Sequence, residues 1–220
     1  MKKKIEKGKG IFISFEGPEC AGKTTQIALL SEYLRSKKIS VITTREPGGT
    51  EIGEQIRKIV KHLTGPDAVV DEAELLLFAA SRAQHVKTFI KPALEQGVTV
   101  ITDRFMDSTT AYQGYARGID ISFVKQLNSF ATIGLIPDIT FILDLLPEEI
   151  EKRASKRQET LFVEDRIESE KIDFHRRVRE GFLRIAQEEP ERVKVIDAMQ
   201  EIEAVKSQII KELNNAFDRI

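Results

Sequence analysis

The eight residues Gly17-Pro-Glu-Cys-Ala-Gly-Lys-Thr24 constrain this chain more than any other stretch. They match G-x-x-x-x-G-K-[ST] and stand between an apolar run, Gly10–Glu16, and a helical pattern over Lys23–Lys37 with Ile27, Leu30 and Leu34 on one face. A strand that turns into a helix through such a loop wraps an anion with backbone N–H groups, and glycines permit the close approach. The helix N-terminus adds unsatisfied donors and the positive end of its dipole. Lys23 brings a point charge for the β- and γ-phosphates. The Thr24 hydroxyl is a hard oxygen ligand of the kind Mg²⁺ prefers. Gly17, Pro18, Glu19, Cys20, Ala21, Gly22, Lys23, Thr24 and Thr25 therefore read as a binding loop for the phosphates of a nucleoside triphosphate. A chance match in an ordinary glycine turn is the alternative, and the strand before and helix after speak against it.

Downstream, short apolar runs alternate with helical patterns. Strands are expected at Ser40–Arg45, Val98–Asp103, Asp138–Asp144 and Val193–Asp197. Helices are expected at Ile52–His62 (Ile52, Ile56 and Ile59 on one side), Asp71–Glu95 with a kink or restart at Pro92, Asp107–Tyr115, Ser122–Ile133, Pro147–Arg157, Arg166–Glu188 and Glu201–Phe217. Alternating strands and helices imply crossovers and a parallel sheet. The expected fold is α/β, a three-layer sandwich around a five-stranded parallel sheet. One domain is expected over residues 10–220, after a basic tail at 1–9. Ligands of such sheets bind beyond the carboxyl ends of the strands.

Composition excludes some classes. The net charge of −1 argues against a nucleic-acid partner, whose affinity comes largely from phosphate neutralisation. The single cysteine, Cys20, leaves no intrachain disulfide, which favours a reducing, cytoplasmic setting. No window reaches the ~20 apolar residues of a membrane helix. The three histidines are scattered, without zinc-ligand spacing.

The other strand ends add chemistry. The second strand runs into Arg45-Glu-Pro-Gly-Gly-Thr50 and the third into Asp103-Arg104. Guanidinium groups grip phosphate bidentately, so Arg45 and Arg104 suit a second phosphate beside the first. The chain has no N-K-x-D guanine-reading motif. Asp103 is read either as the second acid of a Mg²⁺ site or as a structural partner of an arginine.

TREPGGT at Thr44–Thr50, LLLFAASRAQH at Leu75–His85, DRFMDSTTAYQG at Asp103–Gly114 and EDRIE at Glu164–Glu168 together resemble the thymidylate kinase family. The resemblance runs from about Gly10 to the C-terminus. It implies a P-loop nucleoside monophosphate kinase-like fold and transfer of the γ-phosphate of ATP to dTMP, with Mg²⁺, in a homodimer. It further implies a dTMP site drawing on Glu19, Arg45, Pro47, Phe78, Arg82, Arg104, Ser108, Thr109, Tyr112 and Gln113. Phe78 would stack on thymine and Arg82 bond its exocyclic oxygen. The spacing of four puts both on one helix face, although periodicity alone also allows Phe78 to be a core residue. Thr109 and Gln113 would lie near the base, Tyr112 would crowd a ribose 2′-hydroxyl, and Glu19 would sit near the acceptor sugar's 3′-hydroxyl.

Catalysis is expected from Lys23, Asp103 and Arg104, with Thr24 and Asp103 holding the metal. The family places its catalytic arginine either in the phosphate loop or in a lid. Cys20 and Ala21 occupy the loop positions here, with Cys20 replacing the glycine usual in bacterial members. The resemblance is thus to the bacterial type, with a lid at about 153–166. Arg153 and Arg157 are equal candidates for the catalytic arginine, beside Lys156 and Arg166. Two other readings fit the loop: a P-loop kinase with a different acceptor, and a non-catalytic nucleotide switch.

Overall fold

The computed structural model describes residues 9–62, 65, 68–158, 167 and 170–217, with the side chains of 151 and 154–158 excepted. The basic tail up to residue 8, the polar stretch 159–166 that includes Arg166, and the side chains of Lys156 and Arg157 lie outside the described residues.

The strands are β1 (Phe12–Glu16), β2 (Val41–Arg45), β3 (Thr99–Asp103), β4 (Ile139–Asp144) and β5 (Val193–Asp197). They form one parallel sheet in the order β2-β3-β1-β4-β5. Register aligns Arg45 with Asp103, Asp103 with Phe15, and Asp144 with Asp197, so the carboxyl ends share one edge. The helices are α1 (Lys23–Ser36), α2 (Glu51–His62), α3 (Asp71–His85), α4 (Lys91–Glu95), α5 (Met106–Thr109), α6 (Ile121–Thr132), α7 (Pro147–Gln158), α8 (Ile172–Glu188) and α9 (Ile202–Ala216).

The period of two along β1 sorts the layers. Ile13 and Phe15 join Phe141 and Leu143 of β4 in a core closed by Ile27, Leu30 and Leu34 of α1 and Val205, Ile209 and Leu213 of α9. Phe12 faces the other way, against Val86, Ile90, Leu94 and Phe105. Beside that second layer, Ile142 and Val193 pack on Phe174, Val178, Phe182 and Ile185. The three-layer arrangement expected from the alternation is present. β1, β3 and β4 are almost fully buried, as strands covered on both faces must be.

Three local expectations are corrected. The break near Pro92 is a π-helical turn at Val86–Ile90, ahead of the proline. Pro92 sits in the first turn of α4, where its missing N–H costs nothing. The helix expected from Arg166 begins at Ile172, after an extended Lys171. On α2 the buried face is Gly53, Ile56 and Val60, whereas Ile52 and Ile59 are exposed. Periodicity finds a stripe but does not say which stripe its neighbour, here α3, covers.

One buried ion pair fastens the sheet edge to the site-bearing segment. Arg192 donates to both oxygens of Asp107 (2.7 and 2.9 Å) and to Thr140 Oγ1 (2.8 Å). Both charged side chains are nearly inaccessible. Asp107→Ala leaves that guanidinium short of its main partner, and a loss of about 3–5 kcal/mol is expected from the urea unfolding midpoint.

Candidate active site

The phosphate loop has the geometry its sequence requires. Gly17 has φ +122°, and a Cβ there would come within 2.4 Å of Leu143 O. Gly22 caps α1 at φ +88° without a side-chain cap, which leaves the first N–H groups of the helix to bind an anion. Cys20, half-buried, takes a left-handed φ of +59° that glycine would adopt freely. Lys23 Nζ lies across the loop, donating to Pro18 O (2.7 Å) and Gly17 O (3.2 Å). Thr24 Oγ1 donates to Asp103 Oδ2 at 3.5 Å. This all-oxygen pair suits Mg²⁺, which keeps most of its ligands as water.

Arg104 stands between the loop and α5. Its φ of +71° is rare for a side chain of this size. The backbone there is held by Arg104 N to Phe15 O (2.8 Å) and by Thr102 Oγ1, which donates to Arg104 O (2.8 Å). Its guanidinium donates to Gly17 O (2.9 Å), Ser108 Oγ (3.0 Å), Tyr112 Oη (3.2 Å) and Glu19. Glu19 also lies 3.6 Å from Lys23 Nζ. Burial pushes the Glu19 carboxyl up, but Arg104, Lys23 and Lys61 outweigh it and hold the group well below the usual carboxylate range. Burial and Arg104 pull Lys23 down, with Glu19 and Asp103 opposing. Burial raises the Tyr112 hydroxyl despite Arg104, so it remains a protonated donor.

Behind this cluster lies Arg82, only 2% exposed. It donates through Nε to Glu46 Oε2 (2.8 Å), through Nη1 to Thr109 Oγ1 and Asn128 Oδ1 (2.9 Å each), and through Nη2 to Phe105 O (3.0 Å). A guanidinium has five N–H donors, so one Nη2–H remains. Glu46 is shared with His85 Nδ1 (3.0 Å).

A cleft of about 1080 Å³ joins these parts. It is lined by loop residues Glu19 to Thr25 with Asp103 and Arg153, and by Pro47, Phe78, Arg82, Thr109 and Gln113; Arg104, bonded to Glu19 of the loop and to Ser108 and Tyr112 beyond it, joins the two groups. Arg45 reaches the cleft from an exposed position, paired with Glu54 Oε2 at 3.0 Å. Phe78 is partly buried, packing against the α8-side core with one part and lining the cleft with another. Arg153 donates to Cys20 O (3.3 Å) and Ala198 O (3.0 Å), tying α7 to the phosphate loop. Arg57 and Lys61 also line the cleft and were not singled out from the sequence. Their spacing of four on α2 was the available signal, one turn from Gly53 on the buried face.

Glu16 was missed as well. It is fully buried at the end of β1 and accepts from Phe105 N (2.8 Å), Ser14 Oγ (2.9 Å) and Ser108 Oγ (2.5 Å). Ser108 therefore links Glu16 to Arg104.

A parallel sheet with a phosphate loop after its central strand, and an arginine cluster across one cleft, defines a P-loop phosphotransferase of the nucleoside monophosphate kinase kind. The family model for thymidylate kinase matches residues 15–209. The thymidylate kinase of Thermoanaerobacter sp. (strain X514) is 48% identical over 202 residues, covering 92% of this chain and 96% of that protein. That of Sulfurihydrogenibium sp. (strain YO3AOP1) is 49% identical over 205 residues, covering 93% and 97%. The crystal structure of thymidylate kinase from Ehrlichia chaffeensis is similar at a TM-score of 0.74 and 40% identity, covering 94% of this chain and 99% of that one. The chain belongs to the thymidylate kinase family.

Burial, and then Asp107, push the Glu16 carboxyl from its ordinary 4.5 up to about 7, against Ser108, Arg104 and Ser14. The folded chain thus keeps a proton that the unfolded chain has released. Stability contributed by this group is present at low pH and lost as pH rises from about 4.5 through about 7. Urea unfolding at pH 5 and pH 8 should show a loss for the wild type that Glu16→Gln largely removes.

Proposed function

We propose that this chain transfers the γ-phosphoryl group of ATP to dTMP, giving dTDP for dTTP synthesis, by direct in-line displacement. The carrying observation is one cleft lined both by the phosphate loop and by Phe78 and Arg82, with Arg104 bonded to Glu19 of the loop and to Ser108 and Tyr112. A shared cleft of this kind suits two nucleotides meeting phosphate to phosphate. Catalysis in this reading is positioning and charge neutralisation. Lys23 and the loop amides hold the donor phosphates, and Arg104 and Arg45 hold the acceptor phosphate. Thr24 and Asp103 would hold the Mg²⁺ that comes with ATP, and that ion would supply charge neutralisation at the phosphates.

Phe78 stacks on the base, and the one uncommitted Nη2–H of Arg82 donates to its exocyclic oxygen. Thr109 and Gln113 complete the base pocket, Pro47 borders it, and Tyr112 stands where a 2′-hydroxyl would be. Glu19 faces the sugar 3′-hydroxyl. Arg153 and Arg157 belong to a lid at about 153–166, and their charges meet the transferring phosphoryl group. Arg153 stands beside Cys20 of the phosphate loop.

The same reading takes residues 10–220 as one kinase domain after a basic tail. It also includes a homodimer, supported by exposed apolar residues on α2, α3 and α6: Ile52, Ile59, Leu76, Phe123 and Phe130. No helix among the described residues is long and apolar enough to cross a membrane. The lone Cys20 supports a cytoplasmic setting.

The test is ADP release in a coupled assay with Mg²⁺ and ATP. Addition of dTMP should raise the rate by orders of magnitude, with dCMP and purine monophosphates far poorer. Release that dTMP does not stimulate would overturn the assignment.

A further inference from the structure

Gln113 lies in the π-helical turn Thr110–Ala116 that continues α5, and it lines the same cleft as Arg82, which donates to Thr109 four residues earlier. A glutamine amide can present either its carbonyl or its NH₂ to a ligand, and the two faces read opposite base edges. The surroundings decide which is shown. Gln113 Nε2 donates to Glu74 Oε1 at 2.7 Å. Glu74 is wholly buried on α3, and Arg117 lies against both of its oxygens, with Nε 3.4 Å from Oε1 and Nη2 3.5 Å from Oε2. A carboxylate beside a guanidinium accepts and does not donate, so only the NH₂ end of Gln113 can face it. Among the described residues none donates to Gln113 Oε1. Arg117 is fixed in turn by Glu170 (2.5 Å) and by the face of Phe174, 4.5 Å from the ring centroid.

We infer that Glu74, with Arg117 behind it, is a specificity-positioning residue that locks the Gln113 amide so that its carbonyl is shown to the base. This rests on the thymidylate kinase reading of the cleft and deepens it. The N3 position of thymine carries a hydrogen flanked by carbonyls. It matches an acceptor at Gln113 Oε1 next to a donor at Arg82 Nη2. Cytosine reverses both, with a lone pair at N3 and an amino group beside it. It would set acceptor against acceptor and donor against donor, and leave buried groups without partners. Glu74 touches no reacting atom and acts through Gln113 alone.

The experiment compares kcat/KM for dTMP and dCMP in wild type and Glu74→Gln. Glu74→Gln is nearly isosteric but lets the Gln113 amide turn over. The dTMP KM should rise and the dTMP-to-dCMP preference fall roughly tenfold, with the ATP KM unchanged. In a Gln113→Met background, Glu74→Gln should produce no further change in preference, since the group it orients is gone. A folded Glu74→Gln enzyme with unaltered preference, or an equal effect in the Gln113→Met background, overturns the inference. A wild type that dTMP does not stimulate defeats the underlying reading instead.

A measurement on the wild type is independent of how the variant folds. The Gln113 side-chain NH₂ signals in a ¹⁵N-edited spectrum, assigned by their loss in Gln113→Met, should be protected from solvent exchange with and without dTMP. Rapid exchange in the free protein overturns the inference.

Discussion

A guanidinium taken out of water must bring its hydrogen-bond acceptors with it, and that requirement shapes the acceptor end of this protein. Arg82 on α3 collects Glu46 from the turn after β2, Phe105 O and Thr109 around α5, and Asn128 from α6. Three segments far apart in sequence are drawn to one side chain. Removing it would strand Glu46, 4% exposed and otherwise held by His85. If Arg82 reads the base as proposed, pocket and local fold are one construction, and a clean loss of recognition without loss of packing is not available at that residue. Arg192 with Asp107, and Arg117 with Glu74, repeat the device at smaller scale.

How much of this could be read from the chain follows the range of the interactions. The phosphate loop is local: eight consecutive residues between a strand and a helix carry its geometry, and Gly17, Gly22, Lys23 and Thr24 stand as the motif requires. The five strands and their alternation with helices were also legible, because burial on both faces makes central strands continuously apolar. The positions of Phe78, Arg82 and Gln113 came from family resemblance, and the spacing of Phe78 and Arg82 made physical sense of it.

What was hidden depends on partners distant in sequence. Glu16 meets Ser108 across 92 positions and Gln113 meets Glu74 across 39, and no window contains both members. Glu16 is the polar end of an apolar strand, and Glu74 is one of three acids in the first turn of α3. The face of α2 was misjudged for a related reason. Ile52 and Ile59 form as good a stripe as Ile56 and Val60, and the choice between stripes is made by α3. The π-helical turns at Val86–Ile90 and Thr110–Ala116 left no mark that separates them from ordinary helix.

Arg104 carries a last consequence. Its backbone sits in the left-handed well and its guanidinium is fastened to Gly17, Glu19, Ser108 and Tyr112. A free arginine side chain surrenders about 2 kcal/mol of rotamer entropy when it is fixed. Here that ordering has already occurred during folding. An arriving anion meets a charge that is immobile and correctly aimed, and the ordering cost falls on the stability of the protein rather than on its affinity.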